Sequence, residues 1–284
     1  GGISPLDAIA DSCKSHPLYG CSTIIACDGG SFNRVYDVVI QVPELRQMML
    51  RRERTVLDRW VLEPGIAPQS RLLESHIRYM TNQIWTEAFL DRASWGYSTW
   101  TASNKSLTNA VDELFSQFIN LRRIHFNVTH NVTNVAKPIG ISPTSNAGIP
   151  QSQPEDAFLS IVAVEANPAS GNQAQEYLAL GNSLPYAVDI SGWKLSGAVK
   201  FTFHPGTIVP SNSVVYVSPD VRQFRARTTG PRGGQGLFVV GPYEGQLSAR
   251  GETIQLADQN GRLVTFQTYT GNPSPAQQYL RVTE

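Results

Sequence analysis

Phe158-Leu-Ser-Ile-Val-Ala-Val164, Tyr177-Leu-Ala-Leu180, Trp193-Lys-Leu195, Phe201-Thr-Phe203, Val214-Val-Tyr-Val217, Leu237-Phe-Val-Val240, Ile254-Gln-Leu256 and Leu263-Val-Thr-Phe266 decide the fold. Each run is short and rich in β-branched or aromatic residues. Between them stand Asn167-Pro168, Ser191-Gly192, His204-Pro205-Gly206, Gly241-Pro242 and Asn260-Gly261. Short apolar runs cut by turn signals predict an all-β sandwich or barrel over Phe158 to Tyr269. Asn260-Gly261 is a hairpin turn signal, and Trp193 after Gly192 predicts an indole dropped into the core. No catalytic constellation falls in this run, so it predicts a scaffold that holds a partner.

Upstream the period changes. From about Ser31 to Phe126 apolar residues recur at three- and four-residue spacing, which is helical. Val42-Pro43-Glu44 opens one helix, because proline fits the first turn and an acid suits the positive end. Leu45, Met49, Val56 and Trp60 form its stripe, and Glu63-Pro64-Gly65 stops it. A second helix is predicted from about Gln69 to Arg92, carrying Leu73, Ile77, Met80, Ile84 and Ala88 on one face. Ser106 is a fitting N-cap for a third, striped by Leu107, Val111, Leu114, Phe118 and Leu121. The predicted class is therefore α+β multidomain, a helical N-terminal segment followed by an all-β sandwich. Residues 1–130 form the helical part, 131–154 a Pro/Ser/Asn-rich linker, 155–272 the sandwich and 273–284 a tail. The linker reading rests on Asn, Thr, Ser and Pro between Asn127 and Pro154, a composition suited to extended connectors. Asn127-Val-Thr129 and Asn131-Val-Thr133 match glycosylation acceptors, a triplet common by chance.

The bulk numbers exclude several classes. The 284 residues carry 23 basic and 23 acidic side chains. The balance persists on both sides of residue 150, which disfavours a nucleic-acid partner because phosphate binders carry a basic excess. No apolar stretch approaches the ~20 residues of a membrane span. Gly1-Gly2-Ile3-Ser4-Pro5 has neither the charged nor the apolar region of a signal peptide, and the opening resembles the middle of a longer protein.

Cys13, Cys21 and Cys27 cluster early around His16. An odd set allows one disulfide and a free thiol, or three thiols; the spacing departs from the usual zinc pairings, so no metal is expected. No P-loop, G-x-S-x-G or H-E-x-x-H occurs. His76, His125, His130 and His204 are read as ordinary surface or core residues, and Glu176 as a group that orients a hydroxyl or caps a loop. The most charged spot is Arg222-Gln-Phe224-Arg225-Ala-Arg227, followed by Gly230-Pro-Arg232. Arg222, Arg225, Arg227 and Arg232 form a candidate anion or partner loop, since glycine-flanked guanidinium groups suit anions. The competing reading is a solvated loop with Phe224 tucked inward.

Ser160-Ile-Val-Ala-Val-Glu165-Ala-Asn167-Pro168, Gln175-Glu176-Tyr177-Leu178-Ala-Leu180 and Val188-Asp189-Ile190-Ser191-Gly192-Trp193-Lys194-Leu195 resemble the opening strands of a lamin-tail domain. Val240-Gly241-Pro242-Tyr243-Glu244-Gly245 and Gly251-Glu252-Thr253-Ile254-Gln255-Leu256 fit its closing strands. The resemblance covers about the last two-fifths of the chain and implies an immunoglobulin-like sandwich. His16-Pro17-Leu18-Tyr19-Gly20 and Val42-Pro43-Glu44-Leu45-Arg46 resemble the C-terminal part of CotH-type, spore-coat kinase-like proteins. That family implies ATP and a divalent metal. The departure is that no Gly-rich phosphate loop, strand lysine or metal-binding acid pair is present, and before Lys137 only Lys14 and Lys105 occur. No cofactor and no catalytic residue are therefore expected in this chain. Together the resemblances imply a fragment of a bacterial exported protein, extracellular or at the cell surface, that binds a protein or cell-surface component. The alternatives are a piece of an ATP-dependent kinase whose nucleotide core lies elsewhere, and a glycan-binding sandwich using Tyr186, Tyr216 or Tyr243.

Overall fold

The structure is a computed structural model and describes residues 16–18, 34–95, 105–142, 144–232 and 236–271. The chain divides into two compact units, Gly1–Ser152 and Gln153–Glu284.

The first unit is helical. α1 spans Arg34–Gln41 and α2 Pro43–Val56, running on through a wider π-type turn, Leu57–Val61. Pro43 occupies the first turn of α2 with Glu44 behind it, as the sequence predicts. α3 is Leu72–Trp95. α4 is Leu107–Glu113, capped by the Ser106 hydroxyl, which accepts the Asn109 N–H at 3.1 Å. It continues through a π-type turn, Leu114–Ile119, into α5, Asn120–Ile124, and a last π-type turn, His125–Thr129.

The stretch expected to be a linker is not one up to Ser152. Ala147 and Ile149 are buried in one cluster with Leu18, Ile40, Leu50 and Leu57. The Asn146 side chain donates to the carbonyls of Asn131 and Asn134 at 2.6 and 3.0 Å. The Arg51 guanidinium holds the Gln151 carbonyl at 2.8 Å. The polar composition that suggested solvent supplies hydrogen bonds for an irregular packed backbone instead, which a buried loop requires. Asn127 and Asn131 are buried for the same reason. Asn127 accepts from Arg54 at 3.0 Å and Asn131 from Gln151 at 2.6 Å, so in the folded chain neither side chain is presented as a glycan acceptor.

The second unit is a β-sandwich. Its strands are β1 Ser160–Glu165, β2 Tyr177–Asn182, β3 Val188–Asp189, β4 Lys194–Gly197, β5 Val199–Thr202, β6 Ile208–Val209, β7 Ser213–Val217, β8 Phe238–Val240, β9 Glu244–Gly245, β10 Gly251–Ala257 and β11 Leu263–Thr270. One sheet runs β1-β2-β7-β8 and the other β11-β10-β4-β5-β9, with β3-β6 as a small ribbon. A short helix, α6 (Val221–Arg225), follows β7 and is capped by Asp220.

All eight apolar runs quoted above contribute to strands. Their inward residues meet between the sheets: Leu178, Leu180, Trp193, Leu195, Val215, Val217, Ile254 and Leu256 are buried in one cluster. Each such side chain stabilises the fold by roughly 1.5–3 kcal/mol on burial. The Trp193 indole N–H reaches Gln259 Oε1 at 2.9 Å, so burial leaves no orphan donor. Gly197 turns β4 into β5 at φ +91°, where a Cβ would sit 2.2 Å from the Thr253 carbonyl oxygen. Only glycine allows this close approach.

Candidate functional site

A buried polar cluster of the sandwich lies at the head of β2. The turn Gln173–Gln175 delivers Glu176 to the start of the strand, fully buried. Its Oε1 accepts the Tyr243 hydroxyl at 2.7 Å and the Leu247 N–H at 3.0 Å. Its main-chain carbonyl takes the Ser218 hydroxyl at 3.2 Å. Oε2 is buried without a hydrogen-bond partner. Burial therefore raises the Glu176 carboxyl above its usual range, against the two bonds that favour the charge. Burial and the bond to Glu176 likewise push the Tyr243 phenol up. Tyr269, whose hydroxyl donates to the Ser248 carbonyl at 3.1 Å, is pushed up to about 12 by burial and by Glu252 and Glu176. The sequence reading of Glu176 as a hydroxyl-orienting residue describes this geometry. Its chemistry is that of a clamp. Burial raises both acids, and the hydroxyl and the carboxyl are spent on each other.

One residue on, the side chain of Tyr177 points to the opposite face. There the Arg227 guanidinium lies 4.9 Å from its ring centre and 5.9 Å from that of Phe224. Arg227 donates to the carbonyls of Gln175, Pro231 (3.1 Å) and Gly230 (3.4 Å). Arg227 is buried, whereas Arg222, Arg225 and Arg232 are exposed. The predicted four-arginine loop is thus split: Arg227 fastens the loop to the sandwich, and the other three face solvent. Arg225 also reaches the Leu237 carbonyl at 3.4 Å. Phe224 is tucked inward, fully buried. Of the tyrosines proposed for glycans, Tyr243 is buried and cannot present its ring; Tyr216 packs edge-on against Tyr177 at 5.6 Å.

Cys13, Cys21 and Cys27 lie outside the described residues. Among the described residues no group of His, Cys, Asp and Glu is placed to hold a metal ion, and no helix is long and apolar enough to cross a membrane.

The helical unit holds a cluster that residue spacing did not reveal. His16, His125 and His130 are buried with their rings edge-to-face, His130 lying 4.4 Å from each of the other two. His130 Nδ1 accepts the Ala147 N–H at 3.0 Å, and His16 Nδ1 the Leu18 N–H at 3.1 Å. His16 Nε2 meets the Ser145 carbonyl at 2.9 Å. At 100° per residue, positions five apart lie on different helix faces. The π-type turn changes that: the His130 N–H bonds the His125 carbonyl at 2.9 Å, closing the five-residue step.

Charges are also buried there. Arg123 pairs with Glu74, and Arg54 with Asp58. Glu53, with Arg122 as its charged neighbour, is pushed up to about 8 by burial.

Residues 152–271 match the family model of the Lamin Tail Domain, and the observed sandwich has the immunoglobulin-like architecture this implies. The match marks this unit as a binding or structural module. It does not extend into the helical unit, where the CotH resemblance has no counterpart. No curated protein matches the chain.

Proposed function

We propose that the chain is a non-catalytic binding or tethering element of an exported bacterial protein, with the lamin-tail sandwich as its contact module for a protein or cell-surface component. One observation carries this reading. The ionisable side chains best placed for chemistry in the sandwich, Glu176, Tyr243 and Arg227, are committed to internal bonds. The exposed Arg222 and Arg225 on α6 and Arg232 in the loop after it offer a basic contact to an acidic partner. The helical unit is read as the end of a CotH-type domain. Its two resemblance motifs serve packing here, since Leu18 is a core residue and Pro43 starts α2.

The test has two arms on the full chain. Binding to a polyanion resin at low salt should fall in the triple variant Arg222→Ala/Arg225→Ala/Arg232→Ala; unchanged retention removes the loop as the contact. Incubation with an ATP-site label should give no labelling. Labelling of this chain overturns the non-catalytic reading and favours the kinase alternative.

A further inference from the structure

β11 is the outer strand of the five-stranded sheet, bonded to β10 alone among the described strands. Its sequence, Leu263-Val-Thr-Phe-Gln-Thr-Tyr-Thr270, contains no charge and no proline. Exposed edges are normally blunted by charge, proline, bulges or shortness. The other described edges follow that rule. β8 has three residues and β9 two. β1, which runs beside β11 at the same rim, is broken by a bulge between Ile161 and Ala163. From Thr265 to Thr270 β11 is regular.

The direction of its main chain follows from its neighbours. The Thr253 carbonyl accepts the Ala198 N–H at 3.1 Å, so Thr253 turns its main chain away from β11. Antiparallel ladders alternate, so Ile254 turns toward β11 and Gln255 away. Gln267 stands opposite Ile254, and Phe266 and Thr268 opposite Gln255 and Thr253. Phe266, Thr268 and, two residues on, Thr270 therefore point their N–H and C=O groups outward. Gln267 sends its side chain between the sheets, where Oε1 is buried without a hydrogen-bond partner. An unsatisfied buried oxygen destabilises the state that holds it.

We infer that β11 is a self-association edge, pairing antiparallel with β11 of a second copy about a two-fold axis at Gln267. This register sets Phe266 against Thr268 of the second copy, and the reverse, as hydrogen-bonded pairs using the outward groups. It makes the two Gln267 residues a non-hydrogen-bonded backbone pair, the closer of the two kinds. Each amide can then donate to the other's Oε1, filling the orphan. A closed two-fold also removes the open edge from both copies. A second copy is favoured over a foreign strand because this register supplies the amide that Gln267 lacks, and an uncharged edge repels no copy of itself. One strand pair buries little area, so the association is weak and concentration-dependent.

Sedimentation equilibrium of the full chain from about 5 μM to about 0.5 mM should show the average mass rising from monomer toward dimer, a range that brackets a weak complex. Thr268 is exposed, so Thr268→Lys should leave the fold intact and raise the dissociation constant at least about tenfold by placing charge on the edge. Gln267→Glu should do the same at neutral pH by opposing two carboxylates. Hydrogen exchange on the unaltered protein gives a readout free of variants: the amides of Phe266 and Thr268 should slow as concentration rises. A monomer throughout the range overturns the inference, as does a dimer whose exchange at these two amides is independent of concentration.

Discussion

Glu176 at the head of β2 and Tyr243 just before β9 are joined by a 2.7 Å hydrogen bond between two buried side chains. β2 and β9 belong to different sheets, so the bond ties one layer of the sandwich to the other. Tyr243→Phe keeps the ring and removes the hydroxyl. It should cost about 1–2 kcal/mol in the sandwich transition of a chemical denaturation. Glu176→Ala should cost more, because it also strands the Leu247 N–H. Glu176→Gln keeps an acceptor for both donors and should cost least of the three. A Glu176→Ala no worse than Glu176→Gln would show that the clamp contributes little.

Arg227 and Arg225 are two residues apart in sequence and differ in role. Arg227→Lys keeps the charge but loses the planar fork that spans three carbonyls and lies over Tyr177. A loss of about 2–3 kcal/mol is expected, in the range of a broken buried network. Arg222→Ala and Arg225→Ala, at exposed positions, should stay within about 0.5 kcal/mol. Thermal melts of the three variants check the ordering. Equal effects at Arg225 and Arg227 would contradict the split of the loop.

The helices were legible because burial imposes a period of about 3.6, which Pro43–Trp60 shows directly. The strands were legible as short apolar runs such as Phe158–Val164, rich in β-branched and aromatic residues and cut by turn signals. Asn260-Gly261 marked the β10–β11 turn through backbone chemistry alone. Three things escaped. The packing of Ala147 and Ile149 was hidden because a buried irregular loop satisfies its backbone with the same Asn, Ser and Thr residues that suggest solvent. The histidine cluster was hidden by a π-type turn, which a 3.6 period cannot anticipate, and by the long separation of His16 from His125. Arg227 was indistinguishable from Arg222 and Arg225, because only the position of the Tyr177 ring selects which arginine turns inward. Glu176 was readable as an orienting group, but its hydroxyl, Tyr243, lies 67 residues away.

His130 holds the Ala147 N–H through Nδ1 in the interior of the helical unit. His130→Asn places an oxygen near that acceptor position, whereas His130→Phe fills the space and strands the donor. His130→Phe should therefore lose about 1–3 kcal/mol, the cost of an unsatisfied buried group. His130→Asn should recover part of it despite its smaller volume. Denaturation of the helical unit followed by far-UV circular dichroism reads both. If Asn is worse than Phe, ring packing outweighs the hydrogen bond and the cluster is an aromatic core.

Glu53 gives the helical unit a pH dependence of definite sign. Burial raises its carboxyl from 4.5 to about 8, and the charge of Arg122 opposes only part of that rise. The fold therefore holds a proton that the unfolded chain releases at lower pH. Its favourable contribution is fully present below the unfolded value and is lost as pH climbs from about 4.5 through about 8. The melting temperature of the helical unit should be lower at about pH 8.5 than at about pH 5.5. Glu53→Gln, which cannot ionise, should flatten that slope. Arg122→Gln removes the charge that favours ionised Glu53, so it should steepen the loss. A slope unchanged in Glu53→Gln would assign the pH dependence to another group, and one unchanged in Arg122→Gln would show that the guanidinium is too well solvated to act on Glu53.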